Sequence, residues 1–277
     1  MVFFPNEDQE RESMTAAMAA STPLYDAIGG TYARVRRPDP RLAAMIEAAL
    51  GDATSVVNIG AGTGAYEPPD RQVIAVEPSQ VMIRQRPVDA APCLQGSAEA
   101  LPLATKSVDA AMAILSAHHW TDLEQGFREM ARVARKRVLL LTWVPDAAPF
   151  WLVDDYFPAI AVQDRRSFPS TAELTTMLER LVAPVRMTPV PLPHDCTDTY
   201  GAHWRRPAAY LDPDIRGAMS AFAHIDAEAG LTRLRADLAS GQWAARYRDL
   251  LTLEALDIGH RLVVCEIANQ QQGLPDQ

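Results

Sequence analysis

The segment that decides the fold is Val56-Val57-Asn58-Ile59-Gly60-Ala61-Gly62-Thr63-Gly64. An apolar, β-branched run leads here into a turn that has glycine at every second position. Such a run is typical of a buried strand, and glycines let the chain turn tightly and let a ligand approach backbone N–H groups. The segment therefore predicts a strand followed by a ligand-binding loop, although an ordinary strand-to-helix turn has a similar composition.

A second apolar run, Val73-Ile74-Ala75-Val76-Glu77, ends in a carboxylate 17 positions after Gly60. A carboxylate at the end of the strand next to a glycine loop can accept hydrogen bonds from both hydroxyls of a ribose. A solvated glutamate at a strand end is the plainer interpretation. The glycine spacing separates the cofactor classes, because NAD-binding loops follow GxGxxG, whereas Gly64 comes one residue earlier than that pattern requires.

Seven apolar runs are predicted to form strands: Ser55–Ile59, Gln72–Val76, Cys93-Leu94, Val108–Leu115, Arg137–Val144, Val185–Leu192 and Arg261–Ile267. The predicted helices are Tyr25–Leu50, Pro78–Arg86, Asp122–Ala134 and Thr171–Leu181. Strands and helices that alternate at this spacing favour βαβ units. The predicted fold is therefore α/β, with a mostly parallel seven-stranded sheet and helices on both of its faces. Pro189 and Pro191 favour an edge position for the sixth strand.

With these motifs in order, the chain resembles the class I methyltransferases that depend on S-adenosylmethionine (SAM), particularly the small-molecule group (type 11) that includes ubiquinone- and aconitate-type enzymes. The resemblance covers roughly residues 25–144. Asn58–Gly64 is similar to the motif that faces the methionine part of SAM, and Glu77-Pro78-Ser79 to the motif that holds the ribose. Gly96–Leu103 is similar to the segment that contacts adenine, and Ser107-Val108-Asp109 to the start of the fourth strand.

The resemblance implies a Rossmann-like fold, SAM as the cofactor and S-adenosylhomocysteine as the product. The residues that it implies for cofactor binding are Tyr32, Arg36, Asn58, Gly60, Ala61, Gly62, Gly64, Glu77, Pro78, Ser97, Ala98, Glu99 and Leu115. Two positions depart from the common pattern, since the family usually has an acidic residue in place of Asn58 and Asp in place of Ser97. Asn58 can still orient the glycine loop and Ser97 can still reach an adenine amine, so these departures bear on the affinity for the cofactor.

The predicted first helix carries Tyr25, Tyr32 and Arg36 in a pattern that is also similar to this group. These residues could close over the cofactor, with Arg36 pairing with the SAM carboxylate through charge-assisted hydrogen bonds. Surface packing of an N-terminal helix explains the same residues equally well, so both interpretations stay open.

His118 and His119 are the candidate catalytic residues. They follow the fourth strand at its carboxyl end, where open α/β sheets place their ligands. A histidine can remove a proton near neutral pH, which the methylation of a hydroxyl or a carbon acid requires. The alternative is structural: one histidine caps the next helix and the other packs beneath Trp120.

A polar and aromatic cluster follows the sixth strand, where an insertion could cover the acceptor. The residues expected to contact the acceptor are Tyr25, Trp151, His194, Tyr200, His203 and Trp204. The composition of the cluster would allow a metal, but no spacing in it matches a defined zinc or iron site, so no metal is expected. The aromatic residues after the fifth strand could line a pocket or fill the core.

The predicted domain division follows from these changes in pattern. Residues 1–22 are expected to be a flexible N-terminal tail and residues 23–193 the SAM-binding, Rossmann-like domain. Residues 194–256 are expected to form a helical lid over the acceptor. Residues 257–277 would supply the last strand of the core sheet and a C-terminal tail.

The composition excludes several partners. The formal net charge of −9 argues against nucleic acid, which requires a basic surface. No apolar run is long enough to cross a bilayer, the N-terminus lacks the features of a signal peptide, and three cysteines without CxxC spacing fit a reducing compartment. We expect a cytoplasmic protein, a monomer or a homodimer, whose partner is a small-molecule substrate.

The leading hypothesis is transfer of the SAM methyl group to an O, N or C nucleophile of a small molecule by in-line displacement, with a histidine as the possible general base. The main alternative is a protein of the same fold that uses SAM structurally and assists a cyclisation or rearrangement. A nicotinamide oxidoreductase is disfavoured by the glycine spacing, and a non-catalytic interaction protein would not need the ordered nucleotide motifs.

Overall fold

The computed structural model describes residues 25–26, 36–146 and 148–267. The predicted tail at residues 1–22, Tyr32 and the residues after 267 lie outside this description. Seven strands form one sheet, and their bounds are β1 Ser55–Ile59, β2 Gln72–Glu77, β3 Cys93–Gln95, β4 Val108–Ile114, β5 Ala134–Trp143, β6 Val185–Pro189 and β9 His260–Glu266. Two short strands, β7 Leu192–Pro193 and β8 Ala255–Leu256, form a separate ribbon.

The strand order in the sheet is β3-β2-β1-β4-β5-β9-β6. All the neighbouring pairs from β3 to β5 are parallel, whereas β9 runs antiparallel to both β5 and β6. The order of strands in the sheet therefore reverses at β1. The strands β2 and β3 lie on one side of β1, and β4 and β5 lie on the other. Ligands bind at such a switch point in open α/β sheets, outside the carboxyl ends of the strands.

The described helices are α1 Pro40–Leu50, α2 Gln80–Arg84, α3 Leu123–Val133, α4 Pro158–Ser167, α5 Thr171–Leu181, α6 Pro213–Gly217, α7 Glu228–Ser240 and α8 Gln242–Arg246. These helices pack on the two faces of the sheet, as the alternating side chains of β5 show. Leu139 and Leu141 face the hydrophobic cluster that contains α1, while Val138 and Leu140 face the cluster that contains α3 and α5. The sheet is therefore buried on both faces, as the sequence predicts.

The prediction of one helix over residues 25–50 is wrong at residues 36–39, which are not helical. Helix α1 begins only at Pro40, because Pro38 and Pro40 disfavour helical backbone before them. Asp39 caps the helix instead, since its side chain accepts a hydrogen bond from the Arg41 amide. The capping box of Ser170 and Glu173 at the start of α5 is confirmed.

Residues 194–254 form short helices and turns that pack against a segment between β5 and β6. This segment contains a π-helical turn at Leu152–Tyr156 and helix α4. Trp151 lies at the centre of the contact, with its ring against Tyr210 and Trp243 and its Nε1 donating to the Trp204 carbonyl at 2.9 Å. These two stretches form one packed unit, which is called the lid after the expectation for residues 194–256; the sequence predicts only the second stretch. Among the described residues, no helix is long and apolar enough to cross a membrane.

The contact between the two stretches predicts an effect of substitution at Gly230 in α7. A Cβ at Gly230 would lie 2.4 Å from the carbonyl oxygen of Tyr156 and 2.5 Å from the Phe157 ring. Gly230→Ala is therefore expected to lower the free energy of unfolding by roughly 1–3 kcal/mol, the usual effect of overpacking. The measurement is urea unfolding monitored by circular dichroism.

Gly217→Ala in α6 is the matched control, since a Cβ at Gly217 would meet nothing within 4 Å. It should leave the free energy of unfolding unchanged or raise it slightly. Equal stability of the two variants would contradict the described packing of α7 against the π-helical turn.

Candidate active site

The glycine loop after β1 has the conformation that its sequence predicts. Gly60, Gly62 and Gly64 all have positive φ, at 66°, 53° and 94°. The amides of Gly60 and Ala61 both donate to the carbonyl of Val76 in β2, at 2.8 and 3.1 Å. A Cβ at Gly60 would lie 2.6 Å from the Cβ of Ser116, so only glycine fits this close approach to the end of β4.

Glu77 ends β2 beside the loop, and its carboxylate joins two turns. It accepts hydrogen bonds from the Gly62 amide at 2.8 Å and from the Ser79 amide at 2.9 Å. Only 5% of the residue is exposed, and burial raises the pKa of the carboxyl. A carboxylate has about four acceptor positions, so two remain for ligand hydroxyls. Pro78 follows directly, at the turn into α2.

The departure at Asn58 is offset by a buried ion pair. The Asn58 amide donates to Glu67 at 3.3 Å, and Glu67 pairs with Arg86 at 2.8 Å, with side chains only 8% and 5% exposed. Arg86 also donates to the carbonyl of Gly62 at 3.3 Å. Glu67 thus supplies a carboxylate behind the glycine loop, where the family usually has one at the position of Asn58. The sequence gives no signal for this pair, because its members come from different loops.

The predicted adenine segment is fixed to the start of α3. Ser97 is exposed and Ala98 is buried, while the Glu99 carboxylate accepts from the Thr121 amide at 2.7 Å and the Thr121 hydroxyl at 2.9 Å. These hydrogen bonds lower the pKa of Glu99 against the opposing effect of its burial. Glu99 therefore positions the segment through its contacts with Thr121.

The segment before α1 contacts both the cofactor motifs and the histidines. Asp26 accepts a hydrogen bond from the Ser79 hydroxyl at 2.5 Å, and the adjacent Tyr25 ring lies 5.1 Å from the His119 ring, edge to face. Asp26 was not predicted as a site residue, whereas Ser79 belongs to the segment that is similar to the ribose-holding motif. Ser79 also caps α2.

A cavity of about 280 Å³ opens where β4 ends. Its lining residues are Tyr25, Arg36, Leu115, His118, His119, Trp143, Gln163, Asp164, Ser167, Phe168, Thr199, Tyr200, Ser220, Ala221, His224 and His260. The structure thus brings together six of the predicted site residues: Tyr25, Arg36, Leu115, His118, His119 and Tyr200. The sequence analysis missed the contributions of α4 and of β9, which reach the cavity only through tertiary packing.

Four residues predicted to contact the acceptor lie elsewhere. Trp151 is buried in the lid core, and Trp204 is fully buried, with its Nε1 donating to the Leu192 carbonyl at 3.0 Å. His203 is buried against Tyr210 and does not line the cavity. His194 lies at the surface beside Glu254, with 3.4 Å between its Nδ1 and the carboxylate.

Arg36 lies between the lid and the loop after β1. Its guanidinium is 3.7 Å from the Asp198 carboxylate, which also accepts from the Tyr66 hydroxyl at 2.5 Å. The Arg36 side chain is 11% exposed and that of Asp198 6%. Arg36 therefore takes part in a buried network at the cavity wall, and a role in binding the SAM carboxylate stays a prediction.

Comparison with known proteins identifies the family. A family model described as a methyltransferase domain matches residues 57–142. A crystallised protein from an antibiotic biosynthesis pathway of Anabaena variabilis, described as a methyltransferase, is 37% identical, with a TM-score of 0.78 over 83% of this chain and 98% of that one. This chain belongs to the class I SAM-dependent methyltransferase family.

Two further relatives agree with this methyltransferase fold. The uncharacterized methyltransferase YcgJ of Bacillus subtilis is 31% identical over 120 residues, which are 39% of this chain and 44% of that protein. The curated relative is thus matched over less than half of its length. The [4+2]-cyclase SpnF shares the fold, with a TM-score of 0.54 and 14% identity over 89% of this chain and 94% of that one.

The methyltransferase family uses SAM, and the loop residues fit this cofactor. The positive φ angles of the glycines give the tight turn after β1, and Glu77 keeps free acceptor positions beside Gly62. Among the described residues, no group of three or more His, Cys, Asp or Glu could hold a metal ion.

Three histidines that line the methyltransferase cavity, His118, His119 and His260, have pKa values below the ordinary one and are neutral at pH 7. The pKa is lowered to about 4 for His119 and to about 3 for His260. Burial is the largest cause in both, and the positive charge of Arg36 is the next largest. Burial also lowers the pKa of His118 well below its ordinary value, together with the neighbouring His119. The Nε2 of His119 and the Nδ1 of His260 are buried without a hydrogen-bond partner among the described residues.

Glu77→Gln is expected to weaken SAM binding about 10- to 150-fold, the effect of losing a charged partner worth roughly 1.5–3 kcal/mol. Titration calorimetry with SAM, S-adenosylhomocysteine and NAD measures this effect, and NAD should not bind. Asp70→Asn is the control, because the Asp70 side chain is 74% exposed in the loop before β2. Unchanged SAM affinity in Glu77→Gln would remove Glu77 from the cofactor site.

His260 predicts a pH-dependent loss of stability. Its pKa is lower in the folded chain than the ordinary 6.5, so the unfolded chain binds more protons and stability falls as the pH falls from about 6.5 toward 3. Between pH 7 and pH 5, His260→Gln should therefore lose about 2 kcal/mol less free energy of unfolding than the wild type. Urea unfolding at both pH values measures the difference.

Val88→Ala is the control for this comparison and should lose as much as the wild type, because Val88 is fully exposed and carries no titratable group. Comparing variants removes the opposing effect of Asp164, whose pKa burial raises to about 7. Equal losses in wild type and His260→Gln would show that His260 is not buried in its neutral form.

Proposed function

We propose that this chain transfers the methyl group of SAM to a nucleophilic oxygen, nitrogen or carbon atom of a small molecule held in the cavity, as a step of small-molecule biosynthesis. The observation that carries the proposal is the position of His119. Its buried Nε2 has no hydrogen-bond partner among the described residues, and His119 lines a cavity that begins at Leu115, directly after β4. The glycine loop lies beside this point, since Gly60 packs against Ser116.

The volume of the cavity and the net charge of the chain support a small acceptor. A cavity of about 280 Å³ suits a molecule of one or two rings. The net charge of −9 disfavours nucleic acid. The 37% identical relative comes from an antibiotic biosynthesis pathway, which is consistent with a small-molecule substrate here.

His119 has the properties of a proton acceptor for this reaction. When bound, SAM supplies a methyl group on a sulfonium; the nucleophile attacks the methyl carbon in line, and S-adenosylhomocysteine leaves. A hydroxyl becomes strongly acidic as its oxygen gains the methyl group, so a neutral imidazole with a pKa of about 4 can still take the proton. The rings of Tyr25 and His118 on either side fix the orientation of His119, with centroid distances of 5.1 and 3.8 Å.

The cellular setting is part of the same proposal. We infer that the protein acts in the cytoplasm as a monomer or homodimer. Cys93, Cys196 and Cys265 are all free thiols, which is the usual state in a reducing compartment.

The test uses the full chain with SAM that carries an isotopically labelled methyl group. The chain and the labelled SAM are incubated with a library of phenols, alcohols, amines and carboxylic acids, and the products are analysed by mass spectrometry. We expect one labelled methyl group in the product and one equivalent of S-adenosylhomocysteine. Conversion of a library member without the label would support the alternative of cyclisation or rearrangement, and absence of any conversion would count against both.

With an acceptor that has a hydroxyl, His119→Gln should lower kcat by about 10²- to 10⁴-fold, because the proton acceptor is lost. The affinity for S-adenosylhomocysteine should not change. His194→Gln should keep the wild-type kcat, since His194 lies at the surface beside Glu254. A His119→Gln variant with wild-type kcat would exclude His119 as the base.

A further inference from the structure

Asp164 is a buried carboxyl group in the cavity that the proposed reaction does not use. The residue lies on α4, lines the cavity and is 6% exposed. No described residue donates a hydrogen bond to its side chain, although the positive charge of Arg165 acts on it. A buried carboxyl group normally has a partner, because ionising it without one is costly. Burial accordingly raises the pKa of Asp164 to about 7.

Three aromatic rings line the same cavity as this carboxyl. Phe168 follows Asp164 by one helical turn, since its amide donates to the Asp164 carbonyl at 2.8 Å. The Phe168 ring lies 5.2 Å from the Trp143 ring, and the Trp143 ring lies 6.5 Å from the Tyr200 ring. All three rings line the cavity. Ring faces attract cations, and the attraction is larger where water is excluded.

The charges in the cavity divide into two sets. Arg36 lies close enough to His118, His119 and His260 to contribute to lowering the pKa of each. Asp164 instead acts on Tyr200, whose pKa is raised first by burial and next by this carboxyl. The Tyr200 hydroxyl is buried without a partner among the described residues. The cavity therefore holds a neutral imidazole, His119, that suits a nucleophile losing a proton, and a separate carboxyl group, Asp164, that suits a hydrogen-bond donor or a cation.

We propose that Asp164, with the rings of Trp143, Phe168 and Tyr200, binds a protonated amino group of the acceptor. The ammonium supplies the positive partner that the carboxyl lacks, and the Tyr200 hydroxyl can accept one of its remaining N–H groups. This inference rests on the proposed methyltransferase function and assigns the acceptor to the class of small primary or secondary amines.

The proposal also limits which atom is methylated. An ammonium nitrogen has no lone pair, so it cannot attack a sulfonium while Asp164 holds it in the protonated form. The methylated atom is therefore a second group of the same molecule, next to His119. For a hydroxyl, the bond from oxygen to the methyl carbon forms as the sulfur–methyl bond breaks, and the proton moves to Nε2 of His119.

The experiment measures the affinity for matched probes by calorimetry in the presence of saturating S-adenosylhomocysteine. One series is tyramine, tyrosol and 4-hydroxyphenylacetate, which place an ammonium, a hydroxyl or a carboxylate on the same skeleton. The second series is tryptamine, tryptophol and indole-3-acetate. The full chain is compared with Asp164→Asn and with Asp89→Asn, a control at an exposed position.

In at least one series, the amine should bind about 10- to 150-fold more tightly than the alcohol, which corresponds to a charge-assisted hydrogen bond. Asp164→Asn should abolish this preference, and Asp89→Asn should keep it. An alcohol or carboxylate that binds as tightly as its amine, or the absence of amine binding in both series, would overturn the proposal.

The wild-type comparison decides the question even if Asp164→Asn does not fold. The affinity of this variant for S-adenosylhomocysteine reports whether it folds. The two proposals also fail separately. Transfer of the labelled methyl group to acceptors without an amine, with no amine preference, would retain the methyltransferase and remove the amine site. Loss of SAM binding in the wild type would remove the methyltransferase itself.

Discussion

The hydrogen bonds that the Glu77 carboxylate accepts from Gly62 and Ser79 hold the site together. They join the loop after β1 to the turn after β2, so neither turn can move alone. Ser79 in turn donates to Asp26, which holds residues 25–26 beside the turn after β2. Tyr25 then lies against His119 as a consequence. A single buried carboxylate thus relates the cofactor loop to the histidines, although the two come from different strands.

Burial of the histidines determines what the cavity can do. A neutral imidazole accepts a proton, whereas an imidazolium cannot, so the low pKa values keep the cavity competent at pH 7. The same burial leaves polar atoms without partners, including Nε2 of His119 and the Tyr200 hydroxyl. Each such atom costs free energy in the free protein. A ligand that supplies the missing partners recovers this free energy, which is how an enzyme selects an acceptor by its hydrogen-bonding groups.

The sequence predicts the features that depend on neighbouring residues. The glycine loop, the carboxylate that ends β2, the capping box of α5 and the seven strands in their order along the chain all follow from local patterns, and they are confirmed. Asp164 and His260 could not be predicted, because they reach the cavity through the packing of α4 and the antiparallel register of β9 against β5. Trp151 and Trp204 show the converse limit, since an aromatic side chain has the same local signal in a core as in a pocket. The predicted helix at residues 25–50 is wrong at 36–39 because its apolar periodicity outweighed Pro38 and Pro40.

Backbone strain is concentrated where these parts meet. Among the described residues other than glycine, Tyr66, Lys106, Leu115 and Thr199 have positive φ. Leu115 and Thr199 line the cavity, and Tyr66 donates to Asp198, the residue before Thr199. Such conformations cost of order 1–3 kcal/mol each and persist only where the surrounding contacts impose them. The contacts here are the buried network of Arg36, Asp198 and Tyr66, which joins the segment before α1, the lid and the loop after β1. Because this network joins Tyr66, in the loop after β1, to Asp198 beside Thr199, the same contacts hold the strained turns on both sides.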